Sequence, residues 1–387
     1  MARFEKIIED VEPIEEYRPG GYHPVHLGDV IKNTYKIIGK LGYGRFSTVW
    51  LAEDLDFPAL HPRCLVALRI LKADLTINNT ELMTYTAPQF HVDESEHLLK
   101  LLYYFHVFGA SGAHLCLVFP VMLGDCQGMV ANRPKDVQYI AKQILLGPHS
   151  LHTAMEADLQ PTNIMVTTKQ TPGYAGTEAY PRLLFDPERV PIKGLEGVQA
   201  IDSVPKYLVP SQRQRGRDQG NGVDISSLLF KIGNLEAAMP ILLGNNSYSP
   251  PNRVRPGTLP AMPTALRAPE LIEPSRWNAA IDAWALGCLH KIFELATSKP
   301  LFTLTGKYGP CEEDMDYEHE MLIELVVGRG LDWFITHLTR RLPADFGEKS
   351  TRDLAGFLLC MLKEKPAERM TTTELLRHRY LYVEIED

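Results

Sequence analysis

The feature that most constrains the fold is a change of apolar period partway along the chain. "YKIIGKL" and "STVWLAEDL" alternate apolar and polar residues on either side of a Gly-rich turn, as a hairpin does. "CLVALRIL" and "HLCLVFPVM" are apolar runs of strand length. From Asp136, "DVQYIAKQILLGPHSLHTAM" takes helical spacing, interrupted by Gly147-Pro148, and from about Trp277 helical spacing dominates in "AAIDAWALGCLHKIFELAT", "MDYEHEMLIELVVG" and "TRDLAGFLLCMLK". Strands first and helices later predict an α+β chain with a small β-rich lobe and a larger helical lobe. The expected divisions are a lead-in over 1–30, a first lobe over 31–121 and a second over 122–387. A polar, basic, breaker-rich insert at about 167–224, containing "PSQRQRGRDQGNGVD", is expected to be a mobile loop.

Composition removes several function classes. The net charge of -8 argues against wholesale nucleic-acid binding and favours neutral or basic partners. The six cysteines have no C-x-x-C pairing, so neither a disulfide framework nor a structural zinc site is expected. No segment has the uninterrupted apolar length of a membrane span, and the acidic "MARFEKIIEDVEPIEE" carries no apolar leader region. The expectation is a cytoplasmic protein; "RQRGR" is too short and mixed for a clear import signal, and nuclear entry stays open.

Chemistry enters through short motifs in a fixed order. "GYGRFSTVW" is a G-x-G turn that continues as strand, which suits a hairpin covering phosphates and not a dinucleotide fingerprint, which would open a helix. "LVALRIL" sets Ala67 and Arg69 where V-A-I-K would set a phosphate-binding Lys. "EADLQPTNIMV" places Asn163 five residues after Asp158, the spacing at which an Asp accepts a hydroxyl proton and an Asn holds a metal. "IGNLEAA", "LRAPEL" and "NAAIDAWALGC" follow in turn. Neither a G-x-S-x-G elbow nor an H-E-x-x-H helix occurs, so a hydrolase reading has no support.

In this order the motifs resemble those of the eukaryotic protein kinases. "YHPVHLGDVIKNTYKIIGKLGYGRFSTVWLAED" and "GASGAHLCLVFPVM" are similar to the SR-protein kinases, especially their divergent fungal relatives. The resemblance implies a bilobal protein-kinase-like fold with ATP and Mg²⁺ as cofactors. It implies that Gly42, Gly44 and Val49 cover the nucleotide, that Ala67 and Met165 sandwich the adenine, and that Phe119 guards the back of the pocket. Pro120 keeps the carbonyl and Met122 the N–H that the adenine edge needs. Arg69 would touch phosphate and pair with Glu81, Asp158 would be the catalytic carboxylate, and Asn163 and Asn234 the metal ligands. Glu270 with Arg369 would form a structural ion pair, and Asp282 would brace the catalytic loop. The acidic stretch Glu312–Glu324 lies where the family docks Arg-rich substrates, though a solvated helix face has the same composition.

The departures from the family pattern concern chemistry. Arg69 offers a planar fork in place of a compact ammonium. Asn234 lacks the charge of the family's metal-binding Asp, while Glu236 removes the Gly two residues on and adds a carboxylate that could serve as a substitute Mg²⁺ ligand. Gln160 stands where a Lys or His usually follows the catalytic Asp. Two readings therefore stand together. One is a serine/threonine protein kinase acting on a protein substrate such as an Arg/Ser-rich one. The other is a pseudokinase that binds nucleotide or a basic protein partner without efficient transfer.

Overall fold

The computed structural model describes residues 3–7, 9–58, 61, 63–77, 79–87, 95–126, 131, 133–151, 155–156, 161–169, 187–195, 202–212, 224–235, 239–240, 263–272, 278–288 and 300–383. The chain divides into two compact units. The first comprises 1–85, 99–123 and 167–214, and the second 86–98, 124–166 and 215–387.

The first unit is built on a six-stranded antiparallel sheet of β1 (Val30–Ile31), β2 (Tyr35–Tyr43), β3 (Ser47–Asp54), β4 (Leu65–Leu71), β5 (Tyr103–Gly109) and β6 (Gly112–Pro120), in the order β1-β2-β3-β4-β6-β5. Central β4 is buried at all seven positions, which is why "LVALRIL" reads as a continuous apolar run and not as an alternation. One face of the sheet carries Ile37, Trp50, Val66, Leu68, Ile70 and Val118, with Tyr35 stacked on Phe105 at 5.5 Å. The other carries Leu51 and Leu65 with Val121, just past β6. Helix α1 (Thr80–Thr86) follows β4 and sends Glu81 and Tyr85 inward.

The insert does not behave as the expected loose loop wherever it is described. Val190–Pro191 pairs antiparallel with Tyr207–Leu208, and both belong to the first unit, with the N-terminal segment. Val190 and Leu208 share an apolar cluster with Val11, Ile14, Tyr17 and Tyr22. The physical reason is local: a few apolar residues in a polar stretch suffice to bury it once a second apolar segment covers them.

In the second unit, α2 (Pro134–Leu151) runs through the expected break at Gly147-Pro148. Pro148 falls in the last turn, so the bond it cannot donate to the Ile144 carbonyl is lost only where the helix is about to end. Gly147 is needed for close approach: a Cβ there would lie 2.4 Å from Ile232 Cγ1 and 3.1 Å from the His97 carbonyl. Ile232 ends β9 (Leu228–Ile232), which flanks β8 (Ile164–Thr168), itself paired with the short β7 (Gly124–Asp125). The helices that follow are α3 (Pro269–Ile272), α4 (Ala280–Cys288), α5 (Glu312–Val326), α6 (Leu331–Thr339), α7 (Glu348–Met361) and α8 (Thr372–Leu376). Helix α4 is buried from Ile281 to Cys288, and Trp284 stacks on Phe302 at 6.4 Å. Arg369 grips Glu270 with two bonds, at 2.5 and 2.6 Å, and donates to the Ala280 carbonyl at 3.0 Å, tying α3 to α4. No helix among the described residues is long and apolar enough to cross a membrane.

Candidate nucleotide site

The site residues of the first unit gather on the β2–β3 hairpin, β4, α1 and the segment after β6. Gly42 pairs with Val49 and Tyr43 with Thr48, and the Gly44 amide closes the turn onto the Ser47 carbonyl at 2.9 Å. Neither Gly42 nor Gly44 takes a positive φ, so what these glycines contribute is the missing side chain. A Cβ on Gly44 would meet open space, which lets a ligand approach the backbone there.

Register then sets the neighbours. Val49 lies opposite Arg69, Ala67 opposite Phe119, and Val66 opposite Pro120. Phe119 packs against Tyr85 of α1, with ring centroids 5.3 Å apart. Met122 is half-buried, and its amide makes no hydrogen bond among the described residues, which leaves a donor for a purine edge. Ala67, opposite Phe119, carries the small side chain that the resemblance sets against a purine ring.

Arg69 fits a triphosphate less well. It is 7% exposed, and Glu81 has no exposure at all. Nη1 donates to Glu81 Oε1 at 2.8 Å, while Nε donates to Ser47 Oγ at 2.9 Å. A fork engaged on two sides is anchored within the sheet, where a lysine would bring a single movable ammonium. Ser47 is the residue that sequence reasoning missed here. It lies in the quoted "GYGRFSTVW", but its bond to Arg69 depends on the pairing that sets β3 beside β4.

In the second unit, a 3₁₀ turn over Pro161–Asn163 delivers Asn163, fully buried, to the start of β8. Its carbonyl accepts from the Gly233 amide at 2.9 Å, fixing it to the end of β9. The next residue, Asn234, takes φ 57°, a left-handed conformation that Asn tolerates better than most side chains. Asn234 Nδ2 donates to Asn163 Oδ1 at 2.8 Å. Met165 on β8 is half-buried opposite Asp125, and Asp282 on α4 is fully buried. Asp158, Gln160 and Glu236 lie outside the described residues.

The amide pair bears directly on Mg²⁺. Both side chains are neutral, and the Asn163 oxygen that would face a cation accepts an amide proton instead. Mg²⁺ favours carboxylate and phosphate oxygens in near-octahedral array, so the described residues do not fit it. Among them no group of three or more His, Cys, Asp and Glu side chains could hold a metal ion.

The acidic stretch on α5 is partly engaged in folding. Arg267 binds Asp316 at 3.0 Å and Glu312 at 2.6 Å. Glu318 is buried and accepts from the Thr305 amide and hydroxyl and the Gly306 amide, at 2.9, 2.6 and 2.9 Å. These bonds hold the Glu318 carboxyl below its usual pKa. Glu313 and Glu324 remain exposed.

Comparison with known proteins points the same way. Residues 261–381 match the protein kinase domain family. The chain is 27% identical over 411 residues to "Serine/threonine-protein kinase SRPK" of Physarum polycephalum, covering 96% of this chain and 91% of that one. It is 25% identical over 398 residues to "Protein kinase dsk1" of Schizosaccharomyces pombe, covering 84% and 71%. It is 30% identical over 176 residues to human "SRSF protein kinase 3", covering 41% and 30%. These likenesses support the SR-protein-kinase-like branch of the protein kinases and agree with the α+β architecture.

Proposed function

We propose that this SR-protein-kinase-like chain recognises a purine nucleotide but is a weak phosphotransferase, acting chiefly by binding a protein partner. The observation that carries this is the Asn234–Asn163 amide bond, in which the neutral Asn234 stands where the family resemblance implies a charged metal anchor and occupies the Oδ1 of Asn163, the family's other metal ligand. Without a carboxylate at 234, any Mg²⁺ that accompanies ATP is poorly held, and Arg69 is turned to Glu81 and Ser47. The groups suited to the purine itself, Ala67 and the Met122 amide, are unaffected by either change. A basic partner, of which Arg/Ser-rich proteins are one class, would suit the net charge and the exposed acids of α5.

A second reading has its own support. The buried Arg69–Glu81 bond at 2.8 Å reproduces the strand-to-helix ion pair that an active kinase requires. Phosphotransfer to an Arg/Ser peptide from ATP and Mg²⁺ separates the two readings. Weak transfer predicts a wild-type rate close to that of Asp158→Ala, and a clear gain in Asn234→Asp combined with Arg69→Lys. A wild-type rate far above Asp158→Ala, with no gain on restoration, would establish the active enzyme instead.

A further inference from the structure

The sheet of the first unit ends at β5, whose sequence does little to protect an edge. β5 pairs with β6 on one side, and among the described residues no strand lies on its other side. Tyr103–Gly109 contains no Lys, Arg, Asp, Glu or Pro. Its pairing runs from Tyr103↔Val118 to Gly109↔Gly112 without a register shift. Charge, proline, bulges and shortness keep edge strands from pairing with another chain, and β5 has none of them.

Which backbone groups face outward follows from the pairing. Gly109 and Gly112 are partners across a turn of Ala110 and Ser111, so they form a hydrogen-bonded pair. Such pairs alternate along an antiparallel ladder. His106 opposite Leu115 is therefore a pair without hydrogen bonds, and the Leu115 amide donates away from β5, to Thr76 Oγ1 at 2.9 Å. The amides and carbonyls of Tyr104, His106 and Phe108 thus point off the edge, and among the described residues no backbone hydrogen bond reaches them. The side chains of these three residues share one face by strand alternation. Phe108 is 79% exposed, Tyr104 is 44% exposed, and His106 is exposed as well.

Self-complementarity selects the occupant. Two copies of β5 laid antiparallel, with His106 opposite His106, set Tyr104 opposite Phe108 on either side of a twofold axis. Every outward amide then meets an outward carbonyl, and both aromatic pairs fall on one face. No charge in either strand opposes the approach. Such an isologous contact closes at two copies. Head-to-tail growth has little to use, because the sheet's other edge is β1, a strand of two residues.

We propose that β5 is a self-pairing edge, through which two copies of this chain join their six-stranded sheets into one continuous sheet about a twofold axis at His106. One strand from each copy is a small contact beside the interface of a stable complex, so the pair forms as protein concentration rises. The pairing is independent of nucleotide recognition.

Sedimentation velocity on the full chain over a concentration series tests the pairing. The wild type should pass from monomer to dimer and no further. His106→Asp and His106→Lys each set like charges directly opposite, and each should weaken the dimer at least about tenfold. An equimolar mixture of the two variants should regain the dimer, because Asp then faces Lys. A wild type that stays monomeric throughout would overturn self-pairing and leave the edge to a strand of another protein. Dimers that survive in both variants, or that the mixture does not regain, would place the contact elsewhere and overturn it too. Amide exchange on the wild type decides without any variant. Raising the protein concentration should slow amides 104, 106 and 108 about tenfold and leave 105 and 107, already bonded to β6, unchanged. Equal slowing of both sets, or of neither, would refute the pairing.

Discussion

At the residue scale, the chemistry turns on two substitutions and the partners they recruit. Arg69 and Asn234 are legible in sequence as departures from a family pattern. Ser47 and the Asn163–Asn234 bond are not, because each depends on where a second side chain points. Removing the charge of Arg69 would take the guanidinium away from Glu81, a carboxylate with no exposure. Arg69→Met should lower unfolding free energy by about 3–5 kcal/mol, the range for a broken buried pair. Arg69→Lys should cost less, since it keeps the charge and loses the bond to Ser47. Urea denaturation of the two variants checks the order, and equal losses would contradict a two-sided anchor. Asn234→Asp should tolerate the φ of 57°, since Asp also visits that region. It should raise Mg²⁺-dependent transfer by about a hundredfold, about 3 kcal/mol, if a missing preorganised charge is what limits the rate. Single-turnover kinetics would show the gain, and an unchanged rate would place the limit elsewhere.

At the scale of elements, period and order were readable where burial is one-sided, and less so where tertiary contacts decide. "LVALRIL" and "DVQYIAKQILL" announce their type directly. The break expected at Gly147-Pro148 does not occur, because the Gly answers to β9 and the Pro sits in a last turn. Gly147→Ala offers a sharp test. Helix propensity alone favours Ala by about 1 kcal/mol. A Cβ 2.4 Å from Ile232 should outweigh it, for a net loss of about 1–3 kcal/mol. A stabilised variant would show that α2 and β9 are not in close contact. The Glu312–Glu324 run was legible as acidic but not as partly structural. Only the placement of Arg267, Thr305 and Gly306 shows which carboxylates already have partners.

At the scale of the whole molecule, the α+β order was visible, but the membership of the insert was not. Its composition is that of a loop, and its few apolar residues acquire meaning only beside Val11, Ile14, Tyr17 and Tyr22. A global consequence of burial is acid sensitivity. Burial pulls His23 and His319 down to about 4, aided by His114 beside the first and Arg267 beside the second, with Asp29 opposing weakly at His23. Between about 4 and the ordinary 6.5, the unfolded chain takes up protons that the folded chain refuses. Stability should therefore fall as pH drops through that window, by about 3 kcal/mol per histidine at its acid end. Glu15 and Glu16, lowered in the fold by their bonds to Arg3 and Lys72, act in the same direction at still lower pH. Urea midpoints at pH 7 and 4.5 would reveal the slope, and a flat profile would contradict neutral buried histidines.

The most direct measurement is calorimetric titration of the wild-type chain with ATP, in the presence and absence of Mg²⁺. Purine recognition without a charged metal anchor predicts dissociation constants that agree within a few-fold under the two conditions. Binding that appears only with Mg²⁺, or no binding under either, would contradict it.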